Sequence, residues 1–172
     1  GNTVQLLLRF LFLLPVLSAT AAQALTAEQA HALVAGEAEA RIEALDAAVA
    51  DADERTVALL QAIADDAVKF TDSAVYVMKD GRGHDPLTGA PVAVPENAED
   101  VVNNNLMRTE LDVALAAIRL ASPDAQQRAA AVKTLGADAD ASKLPLIEKA
   151  LAAETDAALK AAPERIRAGL LL

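Results

Sequence analysis

The 172-residue chain has no cysteine and no tryptophan, and its aromatic residues are Phe10, Phe12, Phe70 and Tyr76. The missing thiols exclude disulfides, thiolate nucleophiles and Cys-based zinc or iron–sulfur centres. Scarce aromatics, with alanine and leucine dominating, disfavour a β-sandwich and favour packed helices. Positive charge is also in short supply. Fifteen Lys plus Arg stand against 25 Asp plus Glu, a formal net charge of −10. Such a surface repels phosphates, and no basic stripe interleaved with aromatics offsets that, so nucleic acid is not expected as a partner.

Arg9 precedes an apolar stretch from Phe10 to Leu17, and small residues then run from Ser18 to Ala24. This is the pattern of a secretory signal peptide over residues 1–24, with cleavage expected after Ala24. The stretch falls short of the roughly twenty apolar residues of a membrane span.

Residues 25–172 read as one helical domain. Thr26 with Gln29 forms a capping-box pattern, and Gly36 interrupts the helix it opens. Ala38, Ile42, Leu45 and Val49 then recur at helical spacing, and Val57, Leu60, Ala64 and Ala67 do so beyond the polar break at Ala50-Asp51-Ala52-Asp53. These features predict a helical hairpin over 37–68. The same arrangement returns 87 residues later. Ala137-Asp138-Ala139-Asp140 copies Ala50–Asp53, Arg128 copies Arg41, and Leu144, Ile147 and Leu151 come at matching positions, with Gly136 expected as the C-terminal glycine of its first helix. A second hairpin is expected over 122–153. An incomplete third unit is expected over 156–172, kinked at Pro163.

Helix pairs repeating in this way are the signature of a HEAT-like α-solenoid. Between them, β-prone Val75-Tyr76-Val77-Met78 and turn-rich Lys79–Gly83 predict a small inserted β-hairpin over 70–95. A bracing helix over 97–121 presents Met107, Leu111, Leu115 and Ile118. The fold class expected is therefore all-α, a solenoid of helical hairpins with one β-hairpin insertion.

Chemistry-bearing patterns are sparse. His31 and His84 are the two histidines, and neither lies in an HExxH spacing. His31 reads as a surface residue. Asp80, His84 and Asp85 share donor types suited to a divalent cation, but a solvated hairpin tip is the plainer reading, and no metal is assigned. No GxSxG elbow, GxGxxG run, Walker A loop or acid/base dyad is present. Asn103-Asn104-Asn105 reads as a polar helix face with local hydrogen bonds. No catalytic residue and no cofactor are expected, and an enzyme is not predicted.

The order of several segments is more informative. Leu87-Thr88-Gly89-Ala90-Pro91-Val92 is followed by Val102-Asn103-Asn104 and Leu106, and a long helix then leads into Leu120-Ala121-Ser122-Pro123-Asp124. Leu144-Pro145-Leu146-Ile147-Glu148 and Leu151–Asp156 complete the series. In this order they resemble the N-terminal region of the urea ABC transporter permease subunit, of the branched-chain amino acid permease type. The signal-like start and the Val75-Tyr76-Val77 strand extend the resemblance over nearly the whole chain.

That resemblance implies a noncatalytic extracytoplasmic domain of an importer for urea or a related short amide or branched-chain amino acid. It would sit at the periplasmic face of the bacterial inner membrane, and a C-terminal permease portion would supply the membrane contact. Partners would be the periplasmic substrate-binding protein and other ABC transporter subunits. Tyr76, Arg82, His84, Leu87, Thr88, Pro91, Asn103 and Asn104 would form the contact element. The competing expectation is a free-standing periplasmic HEAT-like scaffold.

Overall fold

A computed structural model describes residues 24–138 and 140–172. The signal-peptide expectation for residues 1–24 falls on positions outside the described residues, except at Ala24.

Among the described residues the architecture is mainly helical, with seven α-helices and one five-stranded antiparallel sheet. Thr26 opens α1 (Ala27–Val34) with the expected capping box. Gly36, at φ +91, turns the chain into α2 (Ala38–Ala50), a backbone angle that glycine adopts without a Cβ penalty. Asp53 then caps α3 (Glu54–Ala64). After the sheet come α4 (Asn105–Arg119), α5 (Ala125–Asp138), a single 3-10 turn at Ala141–Lys143, α6 (Leu144–Ala153) and α7 (Ala157–Leu170).

The inserted element is larger than the single hairpin expected over 70–95. Its strands are β1 (Val68–Phe70), β2 (Val75–Lys79), β3 (Arg82–His84), β4 (Pro91–Val92) and β5 (Glu99–Asp100), in the spatial order β4-β3-β2-β1-β5. Two short segments enlarge it. Asp66, at φ +56, ends the α3 region and releases Val68–Phe70 to pair with β2, and Glu99–Asp100 adds to the free side of β1. A Lys69–Asp100 ion pair at 3.0 Å lies across that pairing. The β2–β3 turn carries Asp80 at φ +53 and Gly81 at φ +75, the two left-handed residues of a type I′ hairpin.

Because Glu99–Asp100 is extended, the helix expected from residue 97 begins instead at Asn105. There the Asn104 side chain accepts from Met107 N at 2.8 Å. Once formed, α4 is the centre of the molecule. Met107, Leu111, Val113, Ala114, Leu115, Ala116 and Ala117 are all buried, so more than one stripe of this helix is covered. Its alanines let neighbouring helices approach closely. Helices α2, α3 and α5 pack against it.

This central position changes the expected pairing. The main helical partners of α2 are α1 and α4 rather than α3, and those of α5 are α4 and α7 rather than α6. The segment expected as an unfinished third unit lies as α7 against both α5 and α6, and the helix runs through a buried Pro163. Gly136 lies within α5 rather than ending it, because the helix continues to Asp138. In α3 the buried positions are Thr56, Leu59, Leu60, Ala62 and Ile63, whereas Val57 and Ala64 of the expected stripe are half-buried. No helix among the described residues is long and apolar enough to cross a membrane.

Candidate functional site

The sheet presents its buried side, Val68, Val75 and Val77, to the helical body. His84 stands beside Val77 in the β2–β3 register, on that same side. Beyond it the chain turns through residues 85–90. Asp85 N donates to Ala90 O at 2.9 Å, Gly89 N donates to Asp85 O at 2.8 Å, and Asp85 Oδ1 accepts from Leu87 N at 2.8 Å. This tight turn overhangs a cleft of about 340 Å³ between α3 and the sheet. Leu59, Val77 and Met78 give the cleft apolar walls, while Arg55, Lys79 and His84 bring nitrogen donors to it. The Arg55 side chain reaches from α3 to this turn, where a Cβ on Gly89 would lie 2.5 Å from its Nη1, and Gly89 itself is at φ +76.

Nδ1 of His84 is enclosed and has no hydrogen-bond partner among the described residues. An enclosed polar atom in that state is uncommon in folded proteins. Around the turn, Tyr76 and Leu87 are half-buried and line a second hollow of about 330 Å³ between α1 and the sheet. Arg82 is exposed on β3. Thr88 is exposed, and its hydroxyl accepts from Ala90 N at 3.2 Å. Pro91 is exposed on the edge strand β4, where its missing N–H costs no ladder bond. Six of the eight expected contact residues therefore cluster on β2, β3, β4 and the 85–90 turn.

Asn103 and Asn104 belong elsewhere. Asn103 is 7% exposed, and both ends of its amide are bonded inside the molecule. Its Oδ1 accepts from Arg41 Nη2 at 2.8 Å, and its Nδ2 donates to Ile63 O at 2.9 Å and Asp66 Oδ1 at 3.2 Å. Arg41, also buried, donates in addition to Leu33 O and Val102 O, both at 2.9 Å. Burial holds the Arg41 guanidinium below its usual pKa. Asn104 is the helix cap. Burial makes Asn103 a structural residue instead of a contact residue, whereas Asn104 is exposed and combines its cap with a free side-chain face.

His31 differs from the surface reading as well. It is half-buried, its Nε2 lies 2.9 Å from Thr71 O, and its ring meets Phe70 edge to face at 6.4 Å. Asp80, His84 and Asp85 do not form a metal cage, and no group of three carboxylate or imidazole ligands converges among the described residues.

One charged cluster carried no sequence signal. Lys143 is 1% exposed, and its Nζ donates to Asp46 Oδ1 and Ser142 Oγ, each at 2.8 Å. Asp140 stands 3.9 Å away. Burial raises the pKa of nearby Glu110; the Lys143 ammonium opposes that rise, and the Asp140 and Asp46 carboxylates add to it. For Asp140, burial works upward but is outweighed by the Ser142 hydroxyl, the Lys143 charge and the Ser142 N–H, leaving its pKa lowered. The Lys143–Asp46 pair ties α2 to the turn that precedes α6 and has the form of a structural ion network.

The repeated Ala-Asp-Ala-Asp segments share a local role. Asp53 Oδ1 accepts from Thr56 N at 2.7 Å, and Asp140 Oδ1 accepts from Ser142 N at 3.0 Å, so the last aspartate of each repeat caps the helical turn after it. Arg128 parallels Arg41 in donating to backbone carbonyls, those of Ser122 and Pro123, and it also pairs with Glu154 at 2.8 Å. Comparison with protein-family models, with curated proteins and with solved structures returns no match.

Proposed function

We propose that this chain is the extracytoplasmic N-terminal domain of an ABC importer permease for urea or a related short amide or branched-chain amino acid. Its role is to dock the periplasmic substrate-binding protein, or neighbouring subunits, without performing chemistry. The ordered series of motifs from Leu87 to Asp156 supports the assignment. The recurrence of Ala50–Asp53 as Ala137–Asp140, and of Arg41 as Arg128, supports a HEAT-like reading of the helical body, against which stands the packing of α2 and α5 mainly on α4.

The observation that carries the docking role is the clustering of Tyr76, Arg82, His84, Leu87, Thr88 and Pro91 at one end of the sheet, beside the edge strand β4. An edge strand offers unpaired backbone groups, and half-buried Tyr76 and Leu87 offer a shallow anchor for a partner side chain. Passage of a neutral amide calls for neither a charged catalytic centre nor a metal in such a domain.

The test is made in the intact importer. The double variant Y76A/L87A and the charge reversal R82E are compared with wild type for co-purification with the substrate-binding protein and for uptake of labelled urea. Loss of association together with loss of uptake is the expected result. Unchanged association and uptake in both variants would refute the docking role.

A further inference from the structure

We propose that the hollow of about 330 Å³ between α1 and the sheet is a binding site for a short aliphatic carboxamide, which pairs with the backbone N–H and C=O of Val75. The proposal stands apart from the transport reading, which asks no small-molecule binding of this domain, and it uses groups of the described chain alone.

The register of the sheet carries the argument. Met78 N donates to Ala67 O at 2.8 Å and Thr71 N donates to Ala74 O at 2.9 Å, so on β2 the even-numbered residues direct their backbone groups to β1. Alternation along an antiparallel strand then directs those of Val75 and Val77 to the opposite edge, towards β3. Val77 meets His84 there, but β3 ends at His84, and the position that would next oppose Val75 is Pro86. Proline has no N–H to give to Val75 O. The turn closed by Asp85 N and Ala90 O then takes the chain out of the ladder. Among the described residues no backbone group bonds to the N–H or C=O of Val75 on that edge. The gap so opened is the hollow, with Val75 and Tyr76 on one side and Pro86 and Leu87 on the other.

The chemistry of the ligand follows from this pair of groups. One donor and one acceptor, side by side on an extended residue, call for an acceptor and a donor joined in one small group. A carboxamide has both. A carboxylate has nothing to donate to Val75 O, and an ammonium has nothing to accept from Val75 N. Leu87, Val92 and Ala93 give the hollow an apolar lining that suits a hydrocarbon tail of a few carbons. Asp85 is the one charged residue at the hollow, and its carboxylate disfavours an anion there.

The test uses isosteres. Butanamide is titrated into the isotope-labelled 172-residue chain, and sodium butanoate and n-butylammonium chloride are titrated separately at equal ionic strength. The amide protons of Val75 and Val77 are followed by proton–nitrogen spectra. Intrinsic fluorescence gives a second readout from Tyr76 alone, since the chain has one tyrosine and no tryptophan. Butanamide is expected to move the Val75 amide proton downfield with half-saturation at about 10 mM, with Tyr76 emission saturating in parallel. Val77, already in the ladder with His84, is expected to move little. The two charged isosteres are expected to bind about five-fold or more weakly. The double variant A27L/A93L, which enlarges two exposed residues of the lining, is expected to weaken butanamide binding by about five-fold or more with an unchanged far-ultraviolet spectrum. The proposal is overturned by the absence of a saturable response or by equal affinity for all three compounds. A Tyr76 response without a Val75 shift, or saturation unaltered in the double variant, overturns it as well.

Discussion

Lys143 Nζ donates to Asp46 Oδ1 at 2.8 Å across 97 residues of chain, and the ammonium end is almost wholly enclosed. Removing one member of a buried pair strands the other, at a cost of about 3–5 kcal/mol when burial is complete. Asp46 is partly exposed, and Asp140 and Ser142 remain near the lysine. D46A is therefore expected to lower the unfolding free energy by about 2 kcal/mol in urea titrations. A change below about 0.5 kcal/mol would mean the pair behaves as an ordinary surface contact.

Glu110 gives a prediction of opposite sign. Burial raises its folded-state pKa above the ordinary 4.5, so the folded chain holds this proton more tightly than the unfolded chain. Its contribution to stability accordingly grows as pH falls through the raised value and levels off below about 4.5. E110Q should be more stable than wild type at pH 7, with the two converging near pH 4.5. A thermal-melting series across this range checks it. An E110Q protein less stable at neutral pH would contradict the assignment.

The Arg41–Asn103 hub should tolerate little change. Lysine at position 41 cannot reach Leu33 O, Val102 O and Asn103 Oδ1 with one fork, and leucine at position 103 strands a buried Arg41 donor. R41K and N103L are each expected to cost about 2 kcal/mol or more. In the double variant the losses should be clearly less than additive, since both remove the same bond. Additive losses in a double-mutant cycle would separate the two residues energetically.

Asp53 caps α3 through Thr56, and the Thr56 backbone and hydroxyl bonds, with lesser Leu25 and Arg55 N–H contributions, lower its pKa against the opposing effect of burial. A depressed carboxylate stabilises the fold above its ordinary value of 3.8, and that contribution is lost as pH falls through the folded value. D53A should cost about 1 kcal/mol at pH 7. It should also show a shallower loss of stability than wild type between pH 4 and lower values, measured by acid titration of the helical signal. D53N, which keeps an oxygen acceptor, should fall between the two at pH 7.

Strong local patterns were legible from residue order alone. Met107, Leu111 and Leu115 recur at helical spacing and are buried on α4, Thr26 with Gln29 closes the capping box, and Asp80-Gly81 makes the hairpin turn. Strands β1 and β5 were not legible, because two or three residues cannot display an alternating pattern. The pairing of helices was equally hidden. Spacing shows that a face is apolar and not which partner covers it, and α4 took the place expected of neighbours in sequence.

The site divides in the same way. His84, one of the two histidines, stood out in its turn-rich stretch, but the enclosure of its Nδ1 is a tertiary property that local pattern does not show. Asn103, Asn104 and Asn105 look alike in a row and have three fates, as buried hub, helix cap and first helical residue. Lys143 carries no sequence signal, because its burial and its bond to Asp46 depend on contacts 97 residues apart. Such residues break simple rules where long-range contacts overrule local preference.

Covering α4 on more than one side has a further consequence for the order in which the molecule loosens. The buried positions Leu111 and Val113–Ala117 stay covered until α2, α3 and α5 have moved away, whereas the two-residue strands β4 and β5 need only fray. Deuterium uptake should therefore enter the sheet margins within the shortest labelling times and reach the middle of α4 only through global opening.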